Sequence, residues 1–194
     1  MTNPLLHYGE YGKNLLNINL IIGCNIGLCY DSKGDYDNAM MYYKKSLDIR
    51  EKVLGKDHPD TAASYNNIGI CYESKGDYDN AMMYYKKSLD IWEKVLGKDH
   101  PGTAASYNNI GACYYNKGDY ENALLNFKKA MEIREKKLGN NHPLTGESYY
   151  NVGMTLCKKG EKTDGKNLIK TAYEIYLKCY GEGHTRTKMA EAEL

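Results

Sequence analysis

The sequence predicts an all-α protein in which pairs of helices stack side by side into a superhelix. Three observations predict this fold class. The chain of 194 residues repeats itself every 42 residues. Apolar residues within each repeat return at helical spacing, and glycine and proline mark the ends of the segments. One pair of amphipathic helices cannot bury its apolar stripe alone, so such repeats pack against their neighbours.

The repeat is nearly perfect in the middle of the chain. Residues 32–59 and 74–101 differ at one position of 28, where Arg50 corresponds to Trp92, and residues 61–69 and 103–111 are identical. We expect four repeats, preceded by a diverged segment and followed by a partial fifth repeat or a capping helix. The expected boundaries are 1–18, 19–58, 59–100, 101–142, 143–184 and 185–194.

Each repeat predicts two helices joined by a short turn. In the second repeat, Pro59 suits a helix start because its missing N–H would have no partner there. Gly76 ends this first helix, Asp77 caps the next one, and Gly97 ends that second helix. The apolar face of the first helix is predicted from residues at positions i, i+3, i+4 and i+7: Tyr65, Ile68, Gly69 and Tyr72.

A glycine in the middle of each first helix requires an explanation. Glycine costs about 1 kcal/mol relative to alanine inside a helix. We expect it to allow a close approach of the second helix, against an alanine of that helix. The glycines are Gly27, Gly69, Gly111 and Gly153, and the expected counterparts are Ala39, Ala81 and Ala123, with Gly165 at this position in the fourth repeat.

Charge and composition argue against several function classes. The chain has 26 Lys and Arg against 25 Asp and Glu, whereas nucleic-acid binding needs clustered positive charge. The N-terminus lacks the basic and apolar regions of a secretory signal, and the longest apolar stretch is too short for a membrane helix. We therefore expect a cytoplasmic protein without a nucleic-acid or membrane partner.

Cysteine and histidine recur with the repeat and are interpreted as structural. Cys29, Cys71 and Cys113 are expected to be small buried residues, while Cys24, Cys157 and Cys179 are out of phase. Histidines recur every 42 residues, on successive linkers. Neighbouring ones should therefore lie about a repeat width apart, which is too far for them to bind one metal ion together. We expect these to start helices: His58, His100, His142 and His184.

These spacings resemble the tetratricopeptide repeat (TPR), and the 42-residue length with its Leu-Gly-x-x-His-Pro linker resembles the kinesin light chain type. The resemblance implies a right-handed superhelix whose first helices line a concave groove. It covers residues 19–184. A version of the family that grips a terminal carboxylate needs Lys or Arg on the first helices, but the positions here are Ile21, Ala63, Ala105 and Glu147.

An asparagine on each first helix, two positions before the repeat glycine, is the sharpest functional feature. An amide offers both a donor and an acceptor, which suits an extended peptide backbone. We name these residues the asparagine ladder: Asn25, Asn67, Asn109 and Asn151. The remaining candidate peptide-binding residues flank the ladder: Asn66, Asn108, Tyr150, Ile70, Ala112, Met154 and Asn116.

The predicted function is a non-catalytic module that binds an extended segment of another protein in the groove. No motif for nucleophilic catalysis or phosphate binding occurs in the sequence, so we expect no enzyme activity, no cofactor and no metal. Three alternatives stay open. The ladder can instead pair internally and hold the repeats in register, and near-identical repeats can form a structural scaffold that associates end to end. The chain can also be the targeting part of a longer protein.

Overall fold

The computed structural model describes residues 26–194. Residues 1–25, including the predicted N-terminal segment, Cys24 and Asn25, lie outside the described part. The chain divides into two compact units, of which one ends at Ile91 and the other runs from Trp92 to Leu194. Residues 26–31 are helical, and no strand occurs in residues 26–194. The following helices are α1 (Tyr36–Val53), α2 (Pro59–Ser74), α3 (Tyr78–Leu96), α4 (Pro101–Asn116), α5 (Tyr120–Leu138), α6 (Pro143–Lys159), α7 (Lys162–Tyr180) and α8 (Thr185–Glu191).

A histidine caps each of the helices α2, α4, α6 and α8, which confirms the prediction from the repeat. Its Nδ1 accepts a hydrogen bond from the backbone N–H two residues later, at 3.1 Å for His58 and 3.0 Å for His100. His142 and His184 make the same contact at 3.1 and 3.2 Å. This bond satisfies one of the N–H groups that a helix start leaves unpaired.

A buried threonine fixes the linker in front of each of these helices. The Thr61 hydroxyl donates to the carbonyl oxygen of Gly55 at 2.9 Å, and Thr103 donates to that of Gly97 at 3.0 Å. These glycines have positive φ angles, 91° at Gly55 and 88° at Gly97, which glycine adopts without steric cost. Histidine, threonine and glycine together set the angle at which one helix pair leads into the next.

The mid-helix glycines make room for an aromatic ring, not for an alanine. A Cβ at Gly69 would lie 2.5 Å from the ring of Tyr85. One added at Gly111 would lie 2.8 Å from the ring of Phe127. The predicted close approach is present, but in these pairs the residue that faces the glycine is Tyr85 or Phe127, so the predicted alanine counterparts were wrong. The alanines are buried beside these rings, and the ring itself occupies the space that a side chain would need.

The fourth helix pair solves the same problem in another way. Ile169 stands where the other pairs have an aromatic ring. A Cβ at Gly153 would lie 2.7 Å from the carbonyl oxygen of Gly165, and one at Gly165 would lie 2.6 Å from that of Gly153. Here the two helix backbones touch, and two glycines replace the glycine and ring of the earlier pairs.

A tyrosine and a glutamate link successive helix pairs. The Tyr107 hydroxyl on α4 donates to Glu93 Oε1 on α3 at 2.7 Å. Tyr149 and Glu135 make the same bond at 2.7 Å, and Tyr65 bonds to Glu51. Burial and then the hydrogen bond raise the pKa of Tyr107 to about 12.

The position at which the two most similar repeats differ lies at this junction. Arg50 Nη1 donates to the Asp60 carbonyl oxygen at 3.1 Å. In the next repeat Trp92 replaces the arginine and stacks on His100, with ring centroids 5.2 Å apart. Gly102 then stands in the position of Asp60, and a Cβ there would lie 2.6 Å from the Trp92 ring. Across residues 32–69 and 74–111 these are the two differences, and the two new residues touch each other.

The repeating cysteines follow the prediction in two of three cases. Cys71 and Cys113 are fully buried, and burial raises the pKa of the Cys71 thiol to about 11. Cys29 is exposed, so its predicted burial was wrong. Cys29 lies on the helical residues 26–31, where the described part begins. Of the cysteines that are out of phase, Cys157 is half-buried and Cys179 is exposed.

The histidine caps lead to a test by exchange. We expect His142→Ala to lower the free energy of unfolding by about 1 kcal/mol, because the Leu144 N–H loses its acceptor. His142→Asn keeps an acceptor at the cap and should lose much less. Thermal denaturation followed by circular dichroism measures both. Equal losses in the two variants would contradict the capping role.

The Trp92–Gly102 contact leads to a second test. Alanine normally stabilises a helix relative to glycine, but Gly102→Ala should destabilise this protein by about 1–3 kcal/mol because the new methyl group meets the indole ring. The same change in a Trp92→Arg background should be harmless. Chemical denaturation of the two single variants and the double variant measures this coupling. A stabilising Gly102→Ala would show that the ring does not need the glycine.

The raised tyrosine pKa values predict how stability depends on pH. In the folded chain the pKa values of Tyr107 and Tyr149 are both about 12, above the value near 10 of an unfolded chain. Below pH 10 the tyrosines keep their protons in both the folded and the unfolded state, so their full contribution to the free energy of unfolding is present. Above it the unfolded state releases the proton first, so stability falls between about pH 10 and 12.

Subtracting the ultraviolet phenolate titration of Tyr107→Phe from that of the native chain isolates Tyr107. Glu93→Gln should lower the midpoint of that difference curve, because the carboxylate that accepts the bond is gone. A midpoint near 10 in the native chain would contradict the buried tyrosine–glutamate bond.

Candidate functional site

The predicted site residues lie on the first helices with different degrees of exposure. On α2, the unit that ends at Ile91 carries Asn66, Asn67 and Ile70, all half-buried. The unit that starts at Trp92 carries the rest on α4 and α6. There Asn108 is buried, Asn116 is exposed, and the others are half-buried: Asn109, Ala112, Tyr150, Asn151 and Met154. These positions remain predictions as ligand contacts.

An open cleft of about 250 Å³ brings several of these residues together. We call it the α4–α6 cleft, because six of its seven lining residues lie on those two helices and Phe127 of α5 forms part of its base. Its wall is mostly apolar, with two amides at the side. The lining residues are Ala112, Tyr115, Asn116, Phe127, Tyr150, Asn151 and Met154.

The amide of Asn151 is partly engaged inside the protein. Its Nδ2 donates to Asn108 Oδ1 at 3.0 Å, which links α6 to α4. This is the internal pairing that the structural interpretation of the ladder expects. The bond uses the oxygen of Asn108 and one N–H of Asn151. An amide has a second N–H and an acceptor oxygen, and Asn151 is one of the residues that line the cleft.

A second, smaller cleft of about 180 Å³ adjoins the first and shares Tyr150 and Asn151 with it. We call it the α6–α8 cleft, and its other lining residues are Glu147, Tyr176, Arg186 and Met189. Arg186 Nη1 on α8 lies 2.9 Å from Glu147 Oε2 on α6. This ion pair ties the last described helix to the preceding helix pair.

A buried arginine supports the same glutamate from behind. Arg134 Nη1 lies 3.6 Å from Glu147 Oε1 and donates to the hydroxyl of Ser148 at 2.9 Å. Burial lowers the pKa of Arg134, although the charge of Glu147 opposes that shift. Glu147 therefore sits between two guanidinium groups, which fixes its orientation at the rim of the cleft.

Sequence reasoning predicted Tyr150 as a residue of the α4–α6 cleft but missed its other two aromatic residues. Tyr115 and Phe127 also line the cleft. Tyr115 is not at one of the first-helix positions predicted to contact a peptide, and Phe127 belongs to a second helix. The available signal was the helical spacing. Tyr115 is three residues after Ala112, so it lies on the same face of α4.

Comparison with known proteins defines the family. The family described as "Tetratricopeptide repeat" matches residues 17–94, 71–136 and 105–178. The chain belongs to the tetratricopeptide repeat family. No curated protein matches the sequence.

Solved structures of TPR solenoids resemble the chain in fold. BtubC (BKLC) from P. vanneervenii has a TM-score of 0.74 at 22% identity, with 84% of this chain and 65% of that chain covered. A kinesin light chain-like protein of Podosopora anserina with nearly identical TPR-like repeats has a TM-score of 0.75 at 21% identity, covering 90% and 82%. The apo form of RapI has a TM-score of 0.73 at 19% identity, covering 82% and 56%.

Family and fold confirm the predicted TPR-like solenoid of stacked helix pairs with long repeats of the kinesin light chain type. They support a repeat scaffold for protein interaction, in a family whose members are generally non-catalytic. Within residues 26–194 none of the helices combines the length and the apolar character needed to cross a membrane.

Proposed function

We propose that this TPR protein is an adaptor that binds an extended segment of another protein along its first helices, with the α4–α6 cleft as the main contact. The observation that carries the proposal is the composition of this cleft. Two amide side chains, Asn116 and Asn151, stand beside an apolar pocket formed by Ala112, Met154 and aromatic rings. An extended peptide presents that same combination, with amide groups along its backbone and a side chain between them.

Asn151 of the ladder and the flanking asparagines Asn108 and Asn116 then have two different roles. Asn108 and Asn151 bond to each other and hold α4 and α6 in register. Asn116 is exposed at the rim of the cleft and offers its amide to a ligand. The ligand backbone therefore contacts Asn116 and the remaining groups of Asn151, while one of its side chains enters the pocket.

The energetics set the strength of this contact. Each neutral hydrogen bond adds about 0.5–1.5 kcal/mol, and burying one large apolar side chain adds about 1.5–3 kcal/mol. Association itself costs several kcal/mol in lost translational and rotational freedom. These contacts alone do not reach the about 8 kcal/mol of a micromolar complex. We therefore expect a short peptide to bind in the millimolar range, and a longer segment with further contacts along the first helices to bind more tightly.

Two substitutions in the cleft test the proposal with peptides selected from a random library by the native chain. Asn116→Ala removes one exposed amide, and we expect affinity to fall about 2- to 12-fold. Ala112→Ile fills the pocket with the residue that the preceding repeat carries as Ile70, so the helix accepts it while the ligand side chain is excluded. Fluorescence anisotropy with the selected peptides measures both.

The matched control is Asn167→Ala, which removes an exposed asparagine of α7 away from the cleft. Its affinity should equal that of the native chain. Circular dichroism melting curves check that all variants fold. If the selected peptides bind the two cleft variants as tightly as the control, the peptide site lies elsewhere on the protein.

A further inference from the structure

We propose that the α4–α6 cleft recognises a basic side chain, lysine or arginine, of the bound segment. This inference rests on the proposed adaptor function and specifies the chemistry of its ligand. It is carried by three features of the structure: the aromatic lining of the cleft, a carboxylate at the fifth position of the ladder, and the engagement of neighbouring basic side chains away from the cleft.

The lining of the cleft suits a long side chain with a charged end. Tyr115, Phe127 and Tyr150 present aromatic rings, whose faces attract cations. Met154 and Ala112 offer apolar contact for the methylene groups of a lysine or arginine, which pack on apolar surface while the charged end stays near water. Among the described residues that line this cleft, none carries a charge of its own.

A carboxylate stands where the next ladder asparagine would be. Glu193 follows Asn151 by 42 residues, so it occupies the ladder position of the partial fifth repeat. Its backbone N–H donates to the carbonyl oxygen of Ala190 at 3.3 Å, which continues the turn that ends α8. The repeat has thus exchanged a neutral amide for a negative charge at this end of the groove.

The electrostatic effect of Glu193 reaches both tyrosines of the cleft. Burial is the main cause that raises the pKa of Tyr115 and of Tyr150, and the charge of Glu193 raises each further. The Tyr115 phenol also raises the pKa of Tyr150, and the Tyr120 phenol raises that of Tyr115. A cation placed between these rings would lie within the field of the carboxylate, whereas an anion would be repelled.

Several neighbouring basic side chains are engaged away from this cleft. Arg186 pairs with Glu147 in the α6–α8 cleft. Lys166 donates to the carbonyl oxygen of Leu194 at 2.5 Å, and Lys159 lies 2.9 Å from Glu121. Lys158 stands one helical turn beyond Met154 and is not among the lining residues. A ligand cation would therefore be the positive charge inside the α4–α6 cleft.

Three peptide sub-libraries test the proposal on the full chain. They share randomised flanks and differ at a fixed central residue, which is lysine, leucine or glutamate. We expect the lysine sub-library to bind at least threefold more tightly than the leucine one, and the glutamate sub-library to bind most weakly. Fluorescence anisotropy at two salt concentrations measures the order, and added salt should weaken the lysine sub-library selectively.

A charge variant assigns the preference to Glu193. Glu193→Gln should weaken the lysine sub-library about three- to tenfold and leave the leucine sub-library unchanged. Glu191→Gln removes an exposed carboxylate two residues away and is the matched control. Tyr150→Phe keeps the ring and should retain binding, whereas Tyr150→Leu should lose the preference for lysine. Melting curves check that each variant folds.

The possible results separate this inference from the function on which it rests. Equal binding of the lysine and leucine sub-libraries overturns the cation preference while peptide binding stands. A lysine preference that neither Glu193→Gln nor Tyr150→Leu reduces overturns its assignment to the α4–α6 cleft. Preference for the glutamate sub-library overturns it as well. If none of the three sub-libraries shows measurable binding, the adaptor function fails, and the inference fails with it.

Discussion

The fit of an aromatic ring over a mid-helix glycine is the contact on which three of the four described helix pairs depend. A side chain at Gly69 or Gly111 would occupy the volume of the Tyr85 or Phe127 ring. Helix propensity alone disfavours glycine there, so the sequence accepts a local cost to bring two helices together around one large side chain. This contact sets the spacing within a pair, and the spacing determines how the first helices can line a surface.

The contacts at the junctions between helix pairs are mainly polar, whereas the contacts within each pair are mainly apolar. Histidine caps and buried threonines recur at the junctions that lead into α2, α4, α6 and α8, and tyrosine–glutamate bonds recur at the first three of these. They satisfy backbone and side-chain groups that stacking buries. Such bonds have directional geometry, so they define the angle between neighbours. The first helices can then carry residues, such as Asn116, that are exposed at a cleft.

Much of the fold could be predicted from periodicity, because helix starts, helix ends and the close approach each leave a residue of restricted type. The ring that faces Gly69 could not be predicted in this way. Ala81 and Tyr85 both lie on the buried face of the second helix, and helical spacing does not tell which of them contacts the glycine. The exposure of Cys29 depends on neighbours that the repeat pattern does not specify. The α4–α6 cleft combines predicted residues with Phe127, which comes from a helix that the groove argument left out.

The exchange of Arg50 and Asp60 for Trp92 and Gly102 also affects how the chain finds its native order. Tandem segments with almost the same sequence can mispair during folding, because each offers a nearly identical docking face to its neighbours. The indole of Trp92 fits against a residue without a Cβ, and Asp60 has one. The two substitutions therefore make the junction between α3 and α4 specific. A repeat that packed against Trp92 with a side chain at this position would clash with the indole ring.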